Sequence, residues 1–242
     1  MAVDWKNEED VREYLENLGI EYRFQCYYEK KPDGCHRLGD FLEAVKKDFK
    51  KAAIVYKRNC EENNYGKSCY KFGGYVSWKS ILMVYHLYLT FFFSGDEKAD
   101  KLRAFEYFMK GCEKNNPESC FHAGAQLTSK KDDSVPKNYP LGLQLLEKAC
   151  SQNDQFGCYY ASGLHFVGAE GVPKDMKKAF IYSEKACDLG NMYACANVSQ
   201  MYTKGEGVQK NEKLGAEYKA KALDLQTQFQ NKLPTITFEQ GT

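Results

Sequence analysis

The residues of this chain with the clearest potential for chemistry are its ten cysteines, which occur in five close pairs. Eight residues separate the partners in the first two pairs, and seven separate them in the last three. The pairs are Cys26 and Cys35, Cys60 and Cys69, Cys112 and Cys120, Cys150 and Cys158, and Cys187 and Cys195. Paired cysteines can form structural disulfides, hold a metal ion or act as a reversible dithiol.

Zinc sites and catalytic dithiols both use closer spacing than this chain offers. Structural zinc sites favour cysteines separated by about two to four residues, and a thioredoxin-like dithiol has the form Cys-x-x-Cys. Each second cysteine nevertheless lies near a predicted helix start, which lowers the pKa of a thiol. Disulfide exchange at one pair therefore remains an alternative to structural disulfides, as do ten reduced thiols in the cytosol.

Helices must position these cysteines. Eight residues before the first cysteine of four pairs lies a small residue, namely Ala52, Ala104, Gly142 or Ala179. Apolar residues around each of them recur at three- and four-residue steps, which is the period of an amphipathic helix. A small residue within such a helix lets a neighbouring helix approach closely. We therefore predict a helix that ends near each first cysteine.

A second kind of helix is predicted to begin near the second cysteine of each pair. It carries the pattern Cys-x-x-apolar-small, as in Cys69 to Gly73 and Cys158 to Ser162. Glycine-rich turns follow at 168–175 and 205–211, with a weaker copy at 134–138, and Asp or Asn then offers a helix cap. The repeating unit is helix A, turn, helix B, and the predicted fold class is an all-α solenoid.

This order of helices also predicts the disulfides. The end of one helix B and the start of the next helix A are antiparallel neighbours across a short loop. Their Cα atoms can therefore approach the separation of about 4.4–6.8 Å that a disulfide requires. We expect all five sequence-adjacent pairs to be bridged, and each bridge to contribute up to about 2.5 kcal/mol on the chain-entropy model.

The segment 186–191, followed by Cys195 and a Gly-x-Gly-Val-x-Lys-Asn turn, resembles the cysteine-rich Sel1-like repeats. The segment 24–35 and the five-pair layout extend this resemblance across the whole chain, to small metazoan members of the family. The implied fold is an α-solenoid of Sel1-like (TPR-like) helix pairs stapled by disulfides. Its implied parts are an N-terminal helical cap at 1–33, repeats at 34–66, 68–118, 119–156, 157–193 and 194–226, and a C-terminal tail at 227–242.

The second repeat carries extra residues around the apolar stretch 77–93. Three interpretations are open, namely an extended buried helix, an apolar insert that binds a partner, and a gene-model error such as a translated intron. No capping or turn residues interrupt the stretch, so the sequence does not choose between them.

The resemblance implies a non-enzymatic, protein-binding assembly factor for respiratory chain complex IV (cytochrome c oxidase), and complex I is a further expectation. The implied partners are assembly intermediates or other protein clients, and the oxidative import machinery of the mitochondrial intermembrane space. The residues favour the same compartment, because disulfides need an oxidising environment and residues 1–10 lack the apolar core of a secretory signal. The rival functions are a thiol–disulfide oxidoreductase and a haem-binding chaperone for complex IV subunits.

Charge and hydropathy argue against two other classes of partner. The 34 basic and 33 acidic residues leave a net charge of +1, so no nucleic-acid partner is expected. The longest apolar run, at 81–93, is too short to span a bilayer, so no membrane insertion is expected.

Motifs for cofactors and catalysis are sparse. The chain has no Cys-x-x-Cys-His haem motif, and His36, His86, His122 and His165 identify no ligand, so haem stays open and no metal is expected. His36 and His122 are expected to be solvated or capping residues. Ser68 and Lys71 match the Ser-x-x-Lys form of serine β-lactamases, but the accompanying motifs are absent. We therefore expect no catalytic residue and no chemical role for Ser68.

Overall fold

The computed structural model describes residues 3–77 and 96–232. Within these ranges the chain forms eleven helices, and one isolated bridge between Ala169 and Val172 is the only β-type pairing. The helices are α1 Glu8–Tyr27, α2 Pro32–Ala44, α3 Phe49–Asn63, α4 Gly66–Ser77, α5 Glu97–Glu113, α6 Pro117–Thr128, α7 Tyr139–Ser151, α8 Gln155–Val167, α9 Met176–Asp188, α10 Met192–Lys204 and α11 Glu212–Lys232. The all-α fold class is confirmed. Beyond Ser77, the apolar stretch at 77–93 lies outside the described residues.

The chain divides into two compact units, and each packs its helices in chain order. The first unit comprises residues 1–126 and 130–136, and the second comprises 127–129 and 137–242. In the first unit, helices α2 to α5 each pack on the helix before them, and α8 to α11 do the same in the second. This nearest-neighbour packing is that of a solenoid. No helix of the described residues has the length and apolar character needed to cross a membrane.

The predicted caps start their helices as expected. Asn138 accepts a hydrogen bond from the backbone N–H of Leu141 at 3.0 Å, and Asp175 accepts two, from Lys177 and Lys178, at 3.0 Å each. Asn211 accepts one from the N–H of Leu214 at 3.1 Å. Each bond satisfies a backbone donor that the first turn of a helix leaves unpaired.

Each loop between paired cysteines contains one residue with left-handed backbone angles. These residues are Lys30, Asn64, Asn115, Asn153 and Gly190, with φ of 57°, 52°, 58°, 66° and 95°. Asn and Gly are the residues that tolerate this region best. The reversal lets the chain turn back within a few residues, so that the two helices become antiparallel neighbours. Lys30 is the one residue of the five that is neither Asn nor Gly, and its left-handed conformation could not be predicted from the sequence.

The predicted small residues lie at close helix contacts. Ala52, Ala104 and Ala179 are fully buried, and Gly142 is buried as well. Larger side chains fill the space around them, including Tyr56, Phe72 and Phe108 in the first unit and Leu146 and Met201 in the second. Burial of this apolar area stabilises each unit by about 25 cal/mol per Å² removed from water.

Candidate functional site

The ten cysteines are joined as five disulfides, each between the end of one helix and the first turn of the next. The pairs are Cys26–Cys35, Cys60–Cys69, Cys112–Cys120, Cys150–Cys158 and Cys187–Cys195. Their Cα–Cα distances run from 4.3 to 4.7 Å. The second cysteine is in every case the fourth residue of its helix. The geometry therefore fixes one helix on the next at the same place in every repeat.

The disulfides differ in their access to solvent. Cys26 and Cys35 are each 6% exposed, whereas the other eight cysteines are at most 2% exposed. The Cys26–Cys35 disulfide also borders a cavity of about 280 Å³ that Lys30 and Arg58 help to line. Glu62 lines the same cavity and pairs with Arg58 at 2.8 Å, so Lys30 is the cation beside this disulfide that has no partner within the cavity lining. By exposure, Cys26–Cys35 is the most accessible disulfide of the five.

Ser68 lies at the centre of a buried polar cluster that joins three helices. Its side chain is 0% exposed, its Oγ accepts a hydrogen bond from Asn59 Nδ2 at 2.8 Å, and His36 Nδ1 lies 3.1 Å away. Asn59 Nδ2 also donates to the carbonyl oxygen of Pro32 at 2.9 Å. Substrate cannot reach this hydroxyl, so a catalytic role is not supported. The serine has a structural role that the sequence did not predict. It holds α2, α3 and α4 together.

His36 and His122 are partly buried against aromatic rings, whereas the sequence predicted solvated or capping residues. The His36 ring lies 5.5 Å from that of Tyr56 and 5.4 Å from that of Tyr65, and the His122 ring stacks on Phe108 at 4.9 Å. Burial lowers the pKa of both histidines, although nearby Asp40 opposes the effect at His36. Both rings are therefore neutral at neutral pH.

A second polar cluster surrounds the buried hydroxyl of Tyr56. No pattern in the sequence indicated it. This hydroxyl donates to Asp40 Oδ1 at 2.6 Å and to Glu43 Oε2 at 3.0 Å. Lys71 Nζ donates to both carboxylate oxygens of Glu43 at 3.2 Å. Burial and the two carboxylates raise the pKa of Tyr56, which keeps its phenol protonated. The cluster is internally paired, so it stabilises the helix contact.

An open cavity of about 270 Å³ lies beside this cluster in the first unit. Its lining is mostly aromatic, with one lysine–glutamate pair and one histidine, and comprises Glu43, Phe49, Tyr70, Lys71, Gly74, Tyr75, Phe108 and His122. Burial raises the pKa of Tyr75, and the Glu43 carboxylate adds to this effect. The cavity can accept a small apolar group, and its lining presents no nucleophile paired with a general base.

Each described histidine contacts another side chain of the protein. His165 is 3% exposed, and its Nε2 lies 3.2 Å from Glu147 Oε1. His36 Nδ1 is engaged with Ser68, and His122 borders a cavity below the usual range of about 300–1,000 Å³ for small-molecule sites. His86 lies outside the described residues. Among those residues, no group of three or more His, Cys, Asp and Glu side chains could hold a metal ion.

Comparisons with known proteins agree with this architecture. The sequence model of the Sel1 repeat matches residues 32–58, 90–116, 117–154, 156–191 and 193–226. A crystal structure of a Sel1 repeat protein from Oxalobacter formigenes aligns with a TM-score of 0.64 and 23% identity, over 88% of this chain and 82% of that one. The likeness confirms the solenoid fold.

Two curated relatives match over nearly their whole length. The chain is 42% identical to the "Cytochrome c oxidase assembly factor 7 homolog" of Drosophila melanogaster, over 100% of this chain and 98% of the relative. It is also 42% identical to "Cytochrome c oxidase assembly factor 7" of Xenopus tropicalis, over 98% of this chain and 97% of the relative. The chain therefore belongs to the Sel1 repeat family and, within it, to the group of cytochrome c oxidase assembly factor 7 proteins.

Proposed function

We propose that this chain is a non-enzymatic, protein-binding scaffold for the assembly of respiratory complex IV, with complex I assembly as a second process to test. The observation that carries the proposal is the full-length identity of 42% to relatives named as cytochrome c oxidase assembly factors. The scaffold role is supported by the fold, because solenoids bind partners along extended helical surfaces. The partners are then assembly intermediates of these complexes or other protein clients.

The proposed location is the mitochondrial intermembrane space. Disulfides are rare where thiols are kept reduced, and this chain has ten cysteines in five buried or nearly buried disulfides. An assembly factor for a mitochondrial complex with such a disulfide set fits the oxidising compartment of that organelle. The oxidative import machinery there is the partner we propose for its folding.

The test removes the protein from cells of its own organism and then restores it. Removal of the protein should lower assembled complex IV on native gels and reduce oxygen consumption, and the restored wild type should recover both. Complex I is measured in the same samples. Normal complex IV in cells that lack the protein would overturn the proposed function, and a protease-protection assay on intact mitochondria checks the compartment separately.

A thiol–disulfide oxidoreductase is the second candidate function, and one observation favours it. The Cys26–Cys35 disulfide is the most exposed of the five and borders a cavity lined by Lys30 and by the Arg58–Glu62 ion pair. In such a role a client dithiol would be oxidised to a disulfide while Cys26–Cys35 is reduced to two thiols. Titration with a dithiol reductant discriminates the two functions, because a scaffold should reduce slowly at all five pairs and an oxidoreductase should reduce first at this one.

A further inference from the structure

An open groove of about 560 Å³ runs between α10 and α11 in the second unit. Tyr193, Ala196 and Gln200 line it from α10, at the spacing of one helix face. Lys219 and Leu223 line it from α11. Tyr193 is 59% exposed and Leu223 is 54% exposed, so both sides of the groove present apolar surface to solvent.

This groove repeats a slot that is occupied one repeat earlier in the chain. Ser199 Oγ on α10 donates to the carbonyl oxygen of Gly215 on α11 at 2.7 Å. Ser162 Oγ on α8 donates in the same way to the carbonyl oxygen of Ala179 on α9 at 2.9 Å. The pair α10 and α11 therefore packs in the same register as the pair α8 and α9.

The slot between α8 and α9 seats a helix, which is α10. The Cys187–Cys195 disulfide joins α10 to α9, and the Tyr193 ring lies 6.2 Å from that of Tyr159 on α8. Because α10 covers it, Cys187 is 0% exposed. In the shared register Leu223 stands where Cys187 stands one repeat earlier. An occupant of the open groove would therefore be held by apolar contact and not by a disulfide.

Two lysines give the groove a charge preference. Lys204 and Lys219 both line it, and neither has a carboxylate within 4.0 Å among the described residues. Two lysines nearby but outside the groove are paired, since Lys210 contacts Glu212 and Lys221 contacts Asp188, each at 2.8 Å. The unpaired lysines are complementary to carboxylates on an incoming segment.

We infer that this groove seats an amphipathic, acidic α-helix of a partner protein, in the manner of the next helix A of the solenoid. The apolar face of that helix lies on Tyr193, Ala196 and Leu223, and its carboxylates pair with Lys204 and Lys219. This mode of recognition is that of a helix laid into a groove. The inference rests on the proposed scaffold function and names the surface and the kind of partner.

The test measures the binding of two fluorescein-labelled peptides to the purified, oxidised full-length protein by anisotropy. Both peptides have 14 residues. They keep the side chains that α10 buries in the protein, except that alanine replaces Cys195. One carries glutamate at its remaining surface positions, and the other carries lysine there. We expect the acidic peptide to bind at least about tenfold more tightly than its basic twin, and to lose affinity as salt is raised.

Variants locate the binding. The double change Lys204→Glu with Lys219→Glu should weaken binding of the acidic peptide about tenfold or more. It should strengthen binding of the basic peptide. The control, Lys177→Glu with Lys213→Glu, makes the same change in net charge at exposed residues outside the groove and should leave both affinities unchanged. Leu223→Ala should weaken both peptides, whereas Ile181→Ala, at an exposed residue of α9, should weaken neither.

Three outcomes would overturn the inference. Equal affinity for both peptides, or insensitivity to the groove variants, would show that the groove does not select an acidic helix. Binding only after removal of residues 233–242 would identify this chain's own C-terminal residues as the occupant. Self-association that Leu223→Ala abolishes would identify a second copy. The assay uses purified protein, so its failure is distinguishable from failure of the complex IV test.

Discussion

Gly73 on α4 lies against the ring of Phe108 on α5, so closely that a Cβ added there would be 2.8 Å from Phe108 Cε1. One repeat earlier, Gly39 on α2 meets the ring of Tyr56 in the same way. In the second unit Ser162 stands at the position of these glycines, and it faces Ser183, which is also small. At these three positions the residue after the Cys-x-x-apolar segment is glycine where it faces a large ring and serine where it faces a small residue.

Gly73→Ala should destabilise the protein by about 1–3 kcal/mol, because the added methyl group overpacks the contact with Phe108. Chemical denaturation measures this loss. A double-mutant cycle with Phe108→Leu should recover part of it, since the smaller side chain gives the methyl group room.

Gly163→Ala is the matched control, because a Cβ there meets nothing within 4 Å and the residue lies inside α8. It should stabilise the protein by about 0.5–1 kcal/mol through helix propensity alone. Equal effects at Gly73 and Gly163 would contradict the size-matching argument.

Replacing both Cys150 and Cys158 with alanine should lower the free energy of unfolding by about 2–3 kcal/mol. The disulfide closes a loop with a sequence separation of 8 and fixes α7 on α8, which in turn packs on α9. Alanine at both positions avoids leaving an unpaired thiol. In cells we expect less of this variant in mitochondria and less assembled complex IV.

The same change at Cys26 and Cys35 should cost less, because α1 ends the array. Peptide mapping without reduction should recover the five sequence-adjacent pairs from the wild type. A link between cysteines of different pairs, such as Cys35 with Cys60, would show that the register of helices is wrong.

Ser68→Ala should cost about 1–2 kcal/mol, since it removes the acceptor for Asn59 Nδ2 and the partner of His36 inside the fold. Complex IV assembly should persist when the variant is expressed at the wild-type level. Ser151→Ala, at an exposed residue, should change stability by less than about 0.5 kcal/mol. Loss of function with an unchanged unfolding curve would instead point to a chemical role for Ser68.

Acidification from pH 7.5 to 5.5 should destabilise the protein through two partly buried histidines, His36 and His122, mainly below a pH of about 6.5. Burial lowers the pKa of His36 and His122, so below a pH of about 6.5 the unfolded chain binds protons that the folded chain does not. Their contribution is complete above that pH and falls as the pH drops toward their folded values. His122→Phe keeps an aromatic ring on Phe108 and should reduce the slope of melting temperature against pH.

The two carboxylates Asp132 and Asp175 do not contribute to the slope of melting temperature against pH in this window. The pKa of Asp132 is lowered to about 2 by hydrogen bonds from Ser134 and Lys101, and that of Asp175 is lowered by its cap bonds to Lys178 and Lys177. Their stabilising effect is lost only near or below pH 4, outside the window. An unchanged slope in His122→Phe would mean that His122 does not titrate with unfolding.

The cross-links and helix starts could be predicted because their determinants are local. A cysteine pair and an Asp or Asn cap are separated by few residues from the groups they contact, so spacing alone is informative. The helix predicted to end near Cys187 ends at Asp188, and Asp175 caps its start as expected. Both features are predicted from one short segment of sequence.

Contacts between successive helices B could not be predicted in this way. Tyr107 donates to Glu61 at 2.6 Å, Tyr182 donates to Glu147 at 2.9 Å, and Tyr218 donates to Glu184 at 3.1 Å. These tyrosines stand three residues after Ala104, Ala179 and Gly215, and every acceptor lies on a preceding repeat. A glutamate on a helix surface resembles any solvated residue until the neighbouring helix is placed.

The short span of the disulfides also decides how the chain responds to proteolysis. Each closes a loop with a sequence separation of only 8 or 9. A cut within residues 27–34 leaves two fragments still joined through Cys26 and Cys35. A cut within the non-helical segment 129–138, which no disulfide spans, leaves two fragments that no covalent bond connects. Ten oxidised cysteines thus secure the tight turns between repeats, and the backbone alone carries covalent continuity from helix A to helix B within a repeat.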